Sequence, residues 1–142
     1  MSAPYRVRLA DWASDEPALR EVRRLVFIVE QGVTADLEWD GIDHECQHSL
    51  AEDEEARPIG CARLLPDGHI GRVAVLAHWR GCGVGDALLV RLMELARDLG
   101  HRRVALSAQT HALAFYARHG FVAYGPEYDD AGILHRAMER PL

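Results

Sequence analysis

The spacing of apolar residues changes period several times along the chain, and each change predicts an element. Tyr5 to Leu9 alternates apolar and polar positions, as a half-buried strand does. Ser14-Asp15-Glu16-Pro17 carries the acidic residues and proline of a helix start, and Leu19, Val22, Val26 and Val29 then line one helical face up to Gly32. Val33 to Gln47 sustains no period and reads as a long loop with room for one short helical turn. His48–Glu52 and Ile59–Leu65 read as a hairpin about Asp53-Glu54-Glu55. Pro66-Asp67-Gly68 is a tight turn into Ile70–Val75, a β-branched run suited to a strand buried on both faces. Leu88, Leu92, Leu95 and Leu99 recur at helical spacing and stop at Gly100. Val104–Ala108 is a further strand and His111–His119 a short helix closed by Gly120. Phe121–Tyr124 and Ile133–Met138 are strands about the turn Asp129-Asp130-Ala131-Gly132. The order β-α-loop-β-β-β-α-β-α-β-β predicts an α/β (α+β) fold, a mixed central sheet with helices on both faces.

One interval departs from these periods. Between the Ile70 strand and the leucine-lined helix, Arg80-Gly81-Cys82-Gly83-Val84-Gly85 sets three glycines at alternate positions, with Asp86 following. A helix leaves its first N–H groups unpartnered and carries partial positive charge at that end, so an anion docked there answers both deficits. Glycines permit positive φ and remove the Cβ atoms that would hold a phosphate away, and Arg80 adds a fixed charge. The spacing excludes the dinucleotide loop G-x-G-x-x-G and the nucleotide loop ending G-K-[ST]. What is left is a phosphate cradle of another kind.

Arg80-x-x-Gly83-x-Gly85 after the strand Arg72-Val73-Ala74-Val75 resembles the acetyl-coenzyme A signature of the GCN5-related N-acetyltransferase (GNAT) superfamily. A second block, Gln109-x-x-Ala112-x-x-Phe115-Tyr116-x-x-x-Gly120-Phe121, is similar to that family's second signature and follows in register. Val26-Phe27-Ile28-Val29-Glu30-Gln31 and Asp40-Gly41-Ile42-Asp43 resemble its ElaA/YjcF-like branch, so the likeness spans nearly the whole chain. The resemblance implies a single domain over residues 1–142 in which two central parallel strands splay apart to admit the cofactor's pantetheine arm. It implies transfer of an acetyl group from acetyl-CoA to an amine by direct attack in a ternary complex.

The same resemblance assigns the site. Arg80, Gly81, Cys82, Gly83, Val84, Gly85 and Asp86 form the pyrophosphate cradle, and the backbone of Val73, Ala74 and Val75 holds the pantetheine, with one N–H available to a tetrahedral oxyanion. Tyr116 stands where the family places a tyrosine at the cofactor sulfur. A phenol near pKa 10 protonating a thiolate near 8.5 works uphill by roughly 2 kcal/mol, so hydrogen-bond donation to the leaving sulfur is the reading adopted. Gln109 replaces the asparagine common at its position and keeps the amide.

An acceptor amine of pKa about 10.4 is only roughly 0.04% neutral at pH 7 and must lose a proton. Phe27 and Glu30 lie on the segment that builds the acceptor side, and burial is expected to raise the Glu30 pKa into the range of a base; His111 and His135 are the alternatives. Between Gly32 and Ala56 the chain carries nine carboxylates and no arginine. That asymmetry predicts an acidic wall, with Asp40 and Asp43 at its centre, that steers a cationic acceptor.

Composition narrows the remaining classes. At 142 residues, 49% hydrophobic and 27% charged, the chain is long enough to bury roughly two thirds of its unfolded surface. A formal charge of −6 opposes a broad nucleic-acid footprint. No apolar run reaches membrane-spanning length and Met1 to Trp12 lacks a signal-peptide core, so a cytoplasmic enzyme is expected. Cys46, Cys61 and Cys82 are odd in number and lack C-x-x-C spacing, which predicts free thiols. All sixteen basic residues are arginine, which removes lysine self-acetylation. His44-Glu45-Cys46-Gln47-His48 spells H-E-x-x-H, a zinc-peptidase motif when helical, but Ser49-Leu50-Ala51 reads as strand and no third ligand accompanies it, so no metal is expected. A non-catalytic acyl-CoA-binding domain is the other alternative. The expected partners are acetyl-CoA and a small or peptide amine, with a homodimer admitted, and neither nucleic acid nor membrane.

Overall fold

The computed structural model describes residues 4–142, so Met1 to Ala3 of the leader reading lie outside the described residues. Seven strands, β1 (Tyr5–Ala10), β2 (Gln47–Asp53), β3 (Pro58–Leu64), β4 (His69–Val75), β5 (Arg103–Gln109), β6 (Val122–Asp130) and β7 (Ile133–Pro141), form one sheet in the order β1-β2-β3-β4-β5-β7-β6. Four α-helices accompany it: α1 (Trp12–Arg23), α2 (Ala35–Glu38), α3 (Val84–Asp98) and α4 (Leu113–Ala117). Alternate residues of the central strands feed two cores. Leu50, Cys61 and Ala74 pack with Leu19, Val22 and Val26 on one face, while Ala51, Ala62 and Ile70 pack with Leu88, Leu92 and Met93 of α3 on the other. The predicted mixed sheet with a helix on each face is what forms. No helix among the described residues is long and apolar enough to cross a membrane.

Every strand pair is antiparallel except β4–β5, and that parallel pair is held only at His69–Ala105 and Ile70–Leu106. Past Ile70 the two strands part, leaving the β5-facing edge of β4 without a sheet partner. The expected burial of Ile70–Val75 on both faces is therefore corrected: Val73 and Val75 are only half-buried because an opening lies beside them.

Several local features differ from the expectation, each for a physical reason. The first helix starts at Trp12, ahead of Ser14, with the Asp11 N–H donating to the Asp15 carboxylate at 2.8 Å; Pro17 sits inside the helix. It then continues as a π-helical segment, Arg24–Glu30, whose wider turn rephases the apolar face. Val26 and Phe27 are buried while Val29, predicted on that face, is exposed. Leu99 is likewise exposed, as the residue that caps α3 before Gly100 turns at φ +88°. The strand expected over Phe121–Tyr124 continues past Gly125-Pro126 through a register shift between Tyr124 and Tyr128, so β6 reaches Asp130.

Candidate active site

The opening between β4 and β5 is the mouth of a cavity of about 1150 Å³. At one end stands the cradle. Gly81 and Gly83 take φ +78° and +84°, and α3 starts at Val84 with no side chain capping its first N–H groups. Gly85 lies in the first turn of α3, where an added Cβ would stand in ordinary contact, 3.4 Å, with Phe115. These donors, the free edge of Val73–Val75 and the absence of Cβ atoms fit a pyrophosphate followed by an amide-bearing arm. Cys82 does not line the cavity; its half-buried side chain packs toward the α3 core. Asp86 also lines the cavity, and it accepts from His119 at 2.7 Å and Arg118 at 3.1 Å.

Tyr116 is on α4 and lines the cavity, 9% exposed, with no hydrogen bond from its hydroxyl to another described residue. Burial pushes its pKa up to about 12, so the group is an O–H donor at every physiological pH. Gln109, at the end of β5, exchanges amide hydrogen bonds with Gln31 at 2.9 and 3.3 Å, and its Oε1 accepts from His111 Nε2 at 2.6 Å, bridging the mouth from β5 to the end of the π segment. His135 is buried in the wall, its Nδ1 2.7 Å from the Ile133 carbonyl, and Phe27 is buried beside the same cavity.

Two expectations about charge are corrected. Glu30 forms a bidentate pair with Arg80, both contacts at 2.7 Å, and that pairing holds its pKa below the ordinary carboxylate value instead of burial raising it. As placed, Glu30 is a poor base. The acidic wall is also not free. Asp43 is buried against Arg23 at 2.6 Å and Arg63 at 3.1 Å, and Asp40 accepts from Arg63 at 2.9 and 3.0 Å; neither lines the cavity. Burial opposes their ionisation, but those guanidiniums hold both aspartates below their usual range. Glu38 accepts from Arg23 at 2.8 Å. The arginines that neutralise the loop come from α1, β3 and β4, outside the segment in which arginine is absent.

Ser49-Leu50-Ala51 lies in β2, as its sequence reads, and the H-E-x-x-H stretch is split between two elements. His44 and Glu45 belong to a 3-10 turn, Asp43–Glu45, whereas His48 is on β2 and buried, its Nε2 2.8 Å from the Asp43 carbonyl. The histidines therefore do not share a helical face.

Residues that the sequence does not mark as site candidates also line the cavity: Gln31, Glu38, Arg63 and Arg72. A signal existed for two of them. Arg63 and Arg72 interrupt the otherwise apolar strands Ile59–Leu65 and Ile70–Val75, and an arginine in a buried strand demands a partner.

Comparison with known proteins agrees with this geometry. A family model described as an acetyltransferase (GNAT) domain matches residues 21–142. The uncharacterized N-acetyltransferase YjcF of Bacillus subtilis is 38% identical over 133 residues, covering 89% of this chain and 94% of that protein. An acyl-CoA N-acyltransferase from Pseudomonas aeruginosa superposes with a TM-score of 0.85 at 33% identity, over 96% of this chain and 99% of the other. Escherichia coli ElaA superposes with a TM-score of 0.81 at 27% identity, over 96% and 99%.

Proposed function

The chain belongs to the GNAT acetyltransferase family, and on that premise we propose that it transfers an acetyl group from acetyl-CoA to a primary amine. The observation that carries this reading is the parting of β4 and β5 into a cavity that runs from the glycine cradle to the Tyr116 hydroxyl. When bound, acetyl-CoA supplies the activated acetyl group and a thiolate leaving group. The chain does the rest. N–H groups at Gly83 to Gly85 hold the pyrophosphate, and the unpaired edge of Val73–Val75 aligns the pantetheine amides as a further strand would. Arg80 must exchange Glu30 for the pyrophosphate. One of the same backbone N–H groups is available to negative charge on the acetyl oxygen. Transfer forms one N–C bond and breaks one C–S bond; Tyr116 donates a hydrogen bond to the departing sulfur, and the amine's proton passes to water in the cavity. Holding the reactants together is itself the largest contribution, since a fixed geometry replaces a bimolecular encounter.

Calorimetry with CoA and a thiol-release assay with a panel of amines test the reading together. Micromolar CoA binding with amine-dependent thiol release is expected. Binding without release from any amine reduces the chain to an acyl-CoA-binding domain, and absence of binding removes both readings.

A further inference from the structure

With the cofactor's acidic half assigned to the cradle end, the acceptor takes the other end, whose wall includes Glu38, Arg63, Arg72, His135 and Asp130. Six charges meet behind that wall. Arg23, Arg63 and Arg72 face Glu38, Asp40 and Asp43, and the six balance. Asp40 and Asp43 sit away from the cavity, and of the three members that line it Arg72 is the accessible one, its side chain 26% exposed against 5% for Arg63 and 3% for Glu38. With Asp130 lining the same cavity, the acceptor end offers a guanidinium and a carboxylate in place of the acidic wall expected from the sequence.

Arg72 is the member with donors to spare. Its Nη2 donates to the carbonyls of Leu37 and Glu38 and to Asp40 at 3.1–3.4 Å. Nε lies 3.0 Å from Glu38 Oε2 but out of line for a hydrogen bond, and with Arg63 Nε it is one of two buried side-chain polar atoms left without one among the described residues. Nη1 has no protein partner among the described residues. The backbone supplies an independent sign. Arg72 adopts φ +50°, a left-handed conformation costly for any residue with a Cβ, in a bulge where β3 runs two residues against three of β4. Gly71 stands next to it and would take that conformation freely, yet the strain falls on the arginine. Strain of this kind persists where a side chain must be aimed.

We propose that the acceptor is an amine that also carries a carboxylate, with the free α-amino acid as the simplest case, and that Arg72 binds the carboxylate through Nη1. The inference rests on the transferase reading of the same cavity and adds the acceptor's class to it. Asp130, the last residue of β6 in the half-sheet across the opening, lines the same cavity and suits the ammonium of the same molecule before it loses its proton. Arg72 adjoins Val73 in the strand that aligns the pantetheine, so a carboxylate on Arg72 places the amine at the acetyl end of the cavity.

The test compares glycine, leucine, phenylalanine and glutamate with their α-amides, of which the amide of glutamate, isoglutamine, keeps a carboxylate on the side chain only. Amide amines shed their proton more readily, because no neighbouring carboxylate holds it, so intrinsic reactivity favours the amides. Expected is the reverse, a kcat/KM for the better acids at least about 10-fold above their amides, in line with a charged hydrogen-bond pair. Leucine above isoglutamine assigns the α-carboxylate, and isoglutamine above leucine a side-chain carboxylate. Arg72→Gln should cut the preference to within about 3-fold and Arg72→Lys should restore part of it. Calorimetry of N-acetylleucine against N-acetylleucinamide on the CoA-loaded wild type reads the same selectivity without turnover and needs no variant to fold. Amides used as well as acids, or the two N-acetyl compounds bound alike, overturns the acceptor class and leaves transfer standing. Acid-selective binding with no thiol release from any amine overturns transfer instead and leaves the Arg72 site.

Discussion

Tyr116 and Glu30 were both readable as reactive groups, and their surroundings send them in opposite directions. For Tyr116, burial in the cavity wall raises the pKa to about 12 and leaves the hydroxyl unpartnered among the described residues. Tyr116→Phe is expected to lower kcat by about 10- to 100-fold while CoA affinity in calorimetry changes less than about 3-fold. Because the folded pKa lies above the usual phenol value, the donor stays protonated throughout, and no descending limb below about pH 10 should be lost in the variant. A limb that vanishes with the hydroxyl would give Tyr116 a titrating role. For Glu30 the bidentate contact with Arg80 is half-exposed and of modest strength. Glu30→Gln frees Arg80, so CoA should bind about 2- to 5-fold tighter, with kcat near wild type. Loss of kcat with a displaced acidic limb would restore Glu30 as the base. Arg80, the glycines and Tyr116 were legible because their chemistry depends on local spacing. Arg63, Arg72 and Glu38 were not, since what defines them is a partner distant in sequence, such as Leu37 and Glu38 for Arg72.

Elements show the same division. Helices and strands with a steady period were found near their bounds, whereas the π segment and the β6 bulge each break a period without ending the element. The 33–47 stretch shows no period in sequence because its order comes from ions: α2 and the 3-10 turn are tied to α1 through Arg23, which is 1% exposed and bonded to Glu38 and Asp43, and Trp39 packs beneath Arg20 and Arg23 at 4.8 and 5.0 Å. Arg23→Met removes the cation and leaves two buried acids, a loss of about 3–5 kcal/mol in denaturant unfolding. Adding Glu38→Gln and Asp43→Asn should recover much of it; no recovery would mean that packing, not charge, is what was lost. The acids also set a pH dependence. Asp40 and Asp43 have folded pKa values below the ordinary 3.8, so their stabilisation is present above about pH 4 and lost as pH falls through the lower values. Glu38 runs the other way: burial raises its pKa above 4.5, so its protonated form stabilises at acid pH and that contribution fades as pH rises. Glu38→Gln should therefore raise stability near neutral pH relative to acid, measured by urea midpoints at pH 5 and 7.5.

At the scale of the molecule the sheet is two pieces, β1 to β4 and β5 to β7, meeting at His69–Ala105 and Ile70–Leu106. Amide hydrogens on the open edges beyond that contact, from Arg72 to Val75 and Ser107 to Gln109, should exchange fast in the free protein and slow on CoA addition, while those of β2 and β3 stay protected throughout. Uniform protection without ligand would mean that the gap is closed in solution. Two rungs are a weak weld between half-sheets, and the chain has left the filling of the seam to a molecule it does not encode. Fold and catalysis thereby share one resource. At a ligand concentration about 100 times its Kd, binding to the native state alone adds about 2.7 kcal/mol, a large part of the 5–15 kcal/mol that holds an ordinary domain together. On the acetyl-CoA reading, a tenfold fall in cofactor from that level multiplies the unfolded fraction about tenfold while the site stays about nine-tenths filled, so turnover by proteolysis would sense the shortage before occupancy does.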